Sequence, residues 1–448
     1  MRAVYYRVAA AFSAFLVFLG ISLLHVYGDK DLYQRIMTLY GVVPFYTPFL
    51  DISGSLAAWE CARLGVDVVV YDPCDVLQRG YNYSPLWMAV SGIPLGVDDT
   101  PIVGWTLDLL FIAGLSALPP PRRPPELILV IAATLSTTVA FALERANPDI
   151  LLFLLALIAG VLAERGSALR LLGYSIALTA ALLKYYPVMM LITVFRERPS
   201  RFIAAMTAIA AALAVFLAAY YAEIARALPT IAHGPYNTGF FGAKNLPFLL
   251  GEAIGTAFGP SSWAPLAERA FAGSIYATLV GSCLVICRRL SASGELSAML
   301  NSLSSLERGF LVIGSAVIAG CFFAGQSIGY RGVFFLMVIP GLLGISRRPS
   351  GRNLRTTGIG TTVVIVLLMW GECFRLALDR SLEGSGVSEM LTVYLGFLLW
   401  LIRELCWWWS IAVILAMLAA FLRNAPIVRW ASSRLNRSVG AFGQPTMR

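Results

Sequence analysis

Charge is scarce in this chain, and so are lysine and histidine. Asp, Glu, Lys and Arg make up 13% of its 448 residues while 58% are hydrophobic, which leaves too little polar surface to clothe a soluble domain of this size. The two histidines, His25 and His233, and the seven cysteines show no metal-ligand spacing, which excludes a metal centre recognisable from sequence. No glycine-rich phosphate loop is visible, so nothing indicates a bound nucleotide and no cofactor is expected. The net charge of +9 comes almost wholly from arginines in short connections between apolar runs. That placement does not describe a nucleic-acid recognition module.

What is abundant is apolar sequence in long runs. Candidate helices cover residues 8–26, 101–118, 127–143, 150–163, 202–221, 270–287, 309–324, 332–345 and 357–373, with a final apolar region at 390–422. Several fall short of the roughly 20 residues that cross a bilayer unaided. The final region suits either one steep helix with an interfacial approach or two short passes broken near Arg403 and Glu404. The first run follows a short basic head (Arg2, Arg7) but lacks a small-residue cleavage site, so it reads as a retained helix. The expected fold is all-α, a polytopic transmembrane bundle of about 10–13 membrane segments, forming one integral membrane domain over residues 1–448.

Arginines gather at Arg122 and Arg123, at Arg165 and Arg170, from Arg196 to Arg201, at Arg288 and Arg289, from Arg347 to Arg355, and in the tail 423–448. The positive-inside rule assigns all of these to the cytoplasm. Outside then lie a first long loop at 28–100, a second at 222–269 and a shorter segment near 374–389.

Lys184 conflicts with its surroundings. One of three lysines, it sits in the apolar run 171–195, where an ionisable group is costly and marks a functional site by default. With the loops at Arg165 and Arg198 both cytoplasmic, this run must enter and return on one side. It would be a re-entrant pair of short helices with Lys184-Tyr185-Tyr186-Pro187 at the turn. Proline suits such a break, and irregular backbone at that depth is tolerated only along an enclosed or watery cavity. A single kinked helix with a snorkelling Lys184 is the alternative, and it leaves several arginine loops on the wrong side.

In the first long loop, Pro48-Phe49-Leu50-Asp51 leads into the helical spacing of Ile52, Leu56, Trp59 and Ala62, ending at Gly65. Asp51 stands in the first turn, either as a helix-capping carboxylate or as a general base facing a membrane-embedded cavity. The stretch Tyr81-Asn82-Tyr83-Ser84-Pro85-Leu86-Trp87 suits an interfacial helix with aromatic rings at headgroup level. Asp72 and Asp75 either bind a cation, for which two carboxylates without further ligands are weak evidence, or serve as turn residues, the reading that suits them better. Cys61 and Cys74 share the loop and can pair if the compartment is oxidising, tying the short helix to the loop segment after it. Asp108 either faces the cavity or is satisfied by neighbouring helices, and Asn147 and Asp149 either cap a helix or touch substrate. His25 closes the first run, and His233 can enter the cavity with the second loop.

The segment Asn147-Pro148-Asp149 followed by Leu151, Leu152, Leu154 and Leu155, then the arginine-bounded turn, Ala180-Ala181-Leu182-Leu183-Lys184, Tyr186-Pro187 and Arg196 to Arg201, resembles the central signature of glycosyltransferase family 87. These are bacterial GT-C class membrane enzymes that include polyprenyl-phosphate-mannose-dependent α-mannosyltransferases. Asp51 with its helix, Gly65, Tyr71 and Tyr83-Ser84-Pro85 is similar to the family's first external loop, and Lys244-Asn245-Leu246-Pro247 to a segment of the second. The resemblance covers about residues 45–345. Ala146-Asn147-Pro148 stands where members often carry Gln-x-Asn, and Gln326, Tyr330 and Arg331 stand where some carry a histidine.

The resemblance implies a GT-C fold in a bacterial cytoplasmic membrane with the active site on the outer face. It implies transfer of a mannose-like hexose or pentose from a polyprenyl monophosphate to an acceptor hydroxyl on a glycolipid or glycan. Asp51 would be the general base and Lys184 the phosphate contact, helped by Arg331 or Lys244; Tyr83, Asn147, Asn245 and Tyr186 would touch substrate. The chief alternative is a secondary transporter for an anionic or lipid-linked substrate, since broken helices with buried cations serve there too. No counterpart of 171–195 is visible elsewhere in the chain. A scaffold without chemistry would leave Asp51 and Lys184 without a shared purpose.

Overall fold

The computed structural model describes residues 2–442 apart from 46–47, 232–233, 235–238, 260–261, 293, 348–351 and 384–387. His233 lies outside the described residues. Helices account for nearly all of the regular structure: α1 Arg2–Tyr27, α2 Lys30–Leu39, α3 Leu50–Arg63, α4 Thr100–Leu115, α5 Pro124–Thr134, α6 Thr137–Arg145, α7 Pro148–Ala163, α8 Ser167–Leu183 and α9 Pro199–Ala227. After these come α10 Asn245–Ala257, α11 Ala264–Ala292, α12 Gly294–Ser302, α13 Ser305–Ala324, α14 Phe335–Ser346, α15 Arg352–Met369, α16 Gly371–Glu383, α17 Glu389–Arg423 and α18 Pro426–Phe442. Among the described residues the strands are β1 (Phe240–Phe241) and β2 (Ser327–Ile328), paired antiparallel with Phe240 opposite Ile328.

Seven segments among the described residues are long and apolar enough to cross a membrane: Tyr5–Tyr27, Pro124–Arg145, Pro199–Thr230, Ala264–Ala292, Ser305–Ala324, Gly329–Ser346 and Glu389–Arg423. α15 and α16 make an eighth if their 58° bend interrupts a single span. The chain is thus an all-α, multi-pass bundle by length and composition. Burial separates its layers. The α13 span and the Gly329–Ser346 span are 78% and 89% buried, whereas those of α9 and α11 are 11% buried and turn their apolar side chains outward, as lipid-facing helices do.

Two elements differ from the sequence expectation or decide what it left open. The 390–422 region is one continuous 35-residue helix, α17. Arg403 and Glu404 do not break it because Arg403 reaches Glu372 at 2.7 Å and Glu404 at 3.1 Å. Much of the segment near 374–389 is helix α16, held by that same Glu372.

The run around Lys184 is a hairpin. α8 ends at Leu183, Lys184 is extended (φ −156°, ψ 120°), and a 3-10 helix from Tyr186 to Arg196 forms the return leg. Arg170 near the start of α8 bonds Glu197, just past the return leg, at 2.6 Å, and Tyr174 donates to the same carboxylate at 3.0 Å. The two legs therefore run antiparallel and end side by side. Arg196 joins them to the end of α7 through Glu164 and the Ala163 carbonyl, both at 2.7 Å. The turn lies at the opposite end, beside the start of α7. Its return leg lies so close on α13 that a Cβ at Gly320 would come within 2.7 Å of the Tyr186 carbonyl oxygen.

Candidate active site

The free carbonyls at the end of α8 need partners, and the first long loop supplies them. Ser84 Oγ donates to Leu182 O at 2.5 Å and Trp87 Nε1 to Leu183 O at 3.0 Å. The aromatic stretch expected to sit at headgroup level thus seats the loop on the hairpin turn, and it sets Tyr83 with its ring 5.1 Å from Lys184 Nζ.

Asn147 organises the start of α7. Its Oδ1 accepts from the Asp149 N–H at 2.8 Å, which caps the helix, while its Nδ2 donates to Asp51 Oδ2 at 2.6 Å. The capping and contact readings hold together in one amide. Asp51 is not itself a cap: Phe49 occupies that position without a side-chain bond. Arg79 stands 3.9 Å from the other Asp51 oxygen and is oriented by Asp75 at 2.8 Å. Burial raises the Asp51 pKa above its ordinary value, and the Asn147 bond and the charges of Arg145, Arg79 and Lys184 offset this only in part. Its side chain is still 14% exposed, so it is a reachable carboxylate with raised basicity.

Asp149 is the hub beside it. Fully buried, it accepts from Lys184 Nζ at 2.6 Å and from the Tyr186 hydroxyl at 2.8 Å, and it pairs with Arg331 at 3.4 Å. The Arg331 guanidinium also lies 4.9 Å from the centre of the Tyr186 ring. One carboxylate thus faces two cations, leaving one positive charge in excess. Neither Arg331 Nε nor Asp149 Oδ2 completes a hydrogen bond, so the pair is loose enough to admit a further oxygen ligand. Tyr83 lies in the field of Asp51, Asp149, Arg79 and Arg331, and burial raises its pKa so that it remains a phenol donor.

Backbone strain concentrates at the same place. Among the described residues, the non-glycine positions in the left-handed region are Phe49 (φ 61°), Gln78 (φ 53°) and Ala146 (φ 41°). They precede Asp51, Arg79 and Asn147 by one or two residues. Such conformations cost about 1–3 kcal/mol each and persist where the surroundings force them, commonly at working sites. At Phe49 the neighbour that allows it is Gly104, whose added Cβ would meet the Phe49 ring at 2.4 Å.

The structure therefore gathers Asp51, Tyr83, Asn147, Lys184, Tyr186 and Arg331. It does not bring in Lys244 or Asn245. The Lys244 side chain is exposed and takes no part in the contacts that join the cluster, and Asn245 is buried with its Nδ2 on Phe240 O at 2.8 Å, where it fastens β1. Asp149, for which the sequence left helix capping and substrate contact both open, is the central residue; the one available signal was a second acid beside Asn147-Pro148. Asp108 is buried with neither carboxylate oxygen bonded and stands outside the cluster. His25 packs edge-on against Tyr33.

Cys61 and Cys74 form a disulfide. Together with Asp72 they are the one grouping of potential metal-ligand atoms among the described residues, but their thiols are spent on each other. Asp72 accepts from the Cys74 N–H at 3.0 Å and Asp75 from Arg79, as turn residues. An apolar cavity of about 240 Å³ between α1, α2, α4 and α6 is lined by Phe18, Trp105 and Phe49 and so ends two residues from Asp51. Comparison with protein-family models, curated proteins and solved structures gives no match to the chain.

Proposed function

We propose that this chain is a GT-C membrane glycosyltransferase that moves a sugar from a polyprenyl monophosphate to an acceptor hydroxyl at the outer face of a bacterial cytoplasmic membrane. One observation carries the reading. A reachable carboxylate of raised basicity, Asp51, is joined by a single amide, Asn147, to the backbone N–H of Asp149, whose own carboxylate holds two cations, Lys184 and Arg331.

In this reaction Asp51 takes the proton of the acceptor hydroxyl as its oxygen attacks the anomeric carbon. The bond from that carbon to the phosphate oxygen breaks, and the electron pair leaves with the polyprenyl phosphate. Lys184 and Arg331 offset the charge gained by the leaving phosphate; Asp149 keeps both cations placed beforehand and lowers the cost of burying them. Tyr83, with its proton retained, can donate to a phosphate or sugar oxygen. The apolar cavity ending at Phe49 suits the first units of the lipid chain.

The test supplies purified protein with a radiolabelled polyprenyl-phosphate sugar and compares the wild type with Asp51→Asn and Lys184→Ala. Loss of transfer in both supports the site; transfer or hydrolysis indifferent to both abolishes it. The 58° bend between α15 and α16 favours one other reading, a transporter with paired broken helices. Uptake of the donor into proteoliposomes without any transfer would identify it.

A further inference from the structure

A second cavity, about 370 Å³, opens between α6, the β1–β2 pair, α15, α16 and α17. Its size falls in the range of about 300–1,000 Å³ typical of small-molecule sites. Unlike the apolar cavity beside Phe49, its wall combines aromatic faces (Phe141, Tyr330, Trp407) with charged planar groups (Arg145, Glu372, Arg403).

Those charged groups are already matched. Glu372 accepts from Arg403 at 2.7 Å and from Arg375 at 2.8 Å; Arg375 also bonds Asp379 at 3.0 Å, and Arg403 bonds Glu404 at 3.1 Å. Arg145 pairs with Glu144 at 2.9 Å and lies 3.9 Å over the Phe45 ring. Of the charged groups that line the cavity, the three guanidinium groups of Arg145, Arg375 and Arg403 are each ion-paired with a carboxylate, Glu372 among them, so an anion would have to compete with those carboxylates for them. A hydrocarbon chain would strip water from these groups and return nothing. A sugar ring meets both halves of the wall: its C–H face lies on an aromatic ring, and its hydroxyls donate to carboxylates and accept from guanidinium groups.

The position is as specific as the chemistry. Arg145 lines this cavity, acts electrostatically on Asp51 and stands two residues from Asn147. Tyr330 lines it too, next in sequence to Arg331. We propose that this cavity binds a neutral saccharide, held on its aromatic faces and hydrogen-bonded by the Glu372–Arg403 pair. Its role as acceptor rests on the glycosyltransferase reading, whereas its capacity to bind sugar does not.

The experiment uses the full-length protein in lipid nanodiscs and saturation-transfer NMR with two probes, methyl α-mannoside and methyl α-glucuronide. The wild type should saturate the mannoside and not the charged glucuronide. Leu376→Trp, which fills the cavity from α16, should abolish the signal. Glu372→Gln, which preserves shape, should weaken binding about 10-fold, the worth of one charged hydrogen bond. Mannoside binding that survives both substitutions, or a preference for the glucuronide, overturns the proposal. Donor hydrolysis measured on the same samples separates the two claims. Intact hydrolysis with lost sugar binding in the variants supports both. Sugar binding by a wild type that neither hydrolyses nor transfers the donor rejects the transferase and retains the saccharide site.

Discussion

The side-chain amide of Asn147 donates to the Asp51 carboxylate at 2.6 Å across 96 residues of sequence. It fixes the start of α3 to the start of α7, so the proposed base and the cation pair share one rigid reference.

Asn147→Ala removes both of that amide's functions. The lost cap should cost about 1 kcal/mol of stability, and the lost bond to a charged group about 1.5–3 kcal/mol of transition-state binding, a fall in kcat/KM on the order of 10- to 100-fold. Asn147→Ser keeps a capping oxygen but is too short to reach Asp51. It should melt close to wild type and transfer as poorly as the alanine variant, as melting curves alongside initial rates will show.

Removing Lys184 alone leaves the buried Asp149 carboxylate with one cation fewer. Lys184→Met should destabilise the protein by about 3–5 kcal/mol, as breaking a buried pair does. Lys184→Met with Asp149→Asn should recover much of that stability while transfer stays absent. A double variant that recovered activity would remove Lys184 from the mechanism. Thermal unfolding in one detergent gives the first quantity and the donor assay the second.

Asp51 must be ionised to accept a proton, and burial raises its pKa. Transfer should therefore fall, as pH decreases, through a midpoint above the unperturbed carboxylate value of about 4. Arg79 is one of the charges that pull this pKa down, so Arg79→Ala should move the midpoint to higher pH. For stability the sign is opposite. A carboxyl with a raised folded-state pKa favours the fold below its unfolded pKa and loses that contribution as pH rises through the folded one. Asp51→Asn should thus melt above the wild type at neutral pH and converge with it near pH 4. Rate and melting profiles over the same buffers test both signs.

The disulfide closes a loop with a sequence separation of 13 between Cys61 and Cys74. Loop-closure entropy gives it about 3 kcal/mol, so Cys61→Ser with Cys74→Ser, or reduction of the wild type, should lower the melting temperature. Asp75 and Arg79 follow closely on Cys74, so reduction should also disturb the acid limb of the pH–rate profile.

Much of this was legible in sequence because the signals were local. A lysine followed by Tyr185-Tyr186-Pro187, bounded by arginines on both sides, reads as a turn, and the hairpin turns at that residue. The mirror case is Lys244-Asn245, where a similar motif lies outside the cluster because Asn245 is consumed by the Phe240 carbonyl. The central role of Asp149 stayed hidden because helix capping accounts for Asn-Pro-Asp without any distant partner, while its cations arrive from residues 184 and 331. The continuity of α17 was equally unreadable, since Arg403 is satisfied by Glu372 on a different helix.

The α8 hairpin has a consequence for how the protein is made. Its return leg rests on α13, which emerges from the ribosome about a hundred residues later, or about 5–20 s at ordinary synthesis rates. Lipid does not tolerate a bare irregular turn carrying a lysine. On the reading that the hairpin is re-entrant, it would need shelter from the insertion machinery or from a chaperone in the membrane until α13 arrives, and biogenesis would not be a simple succession of independent helix insertions.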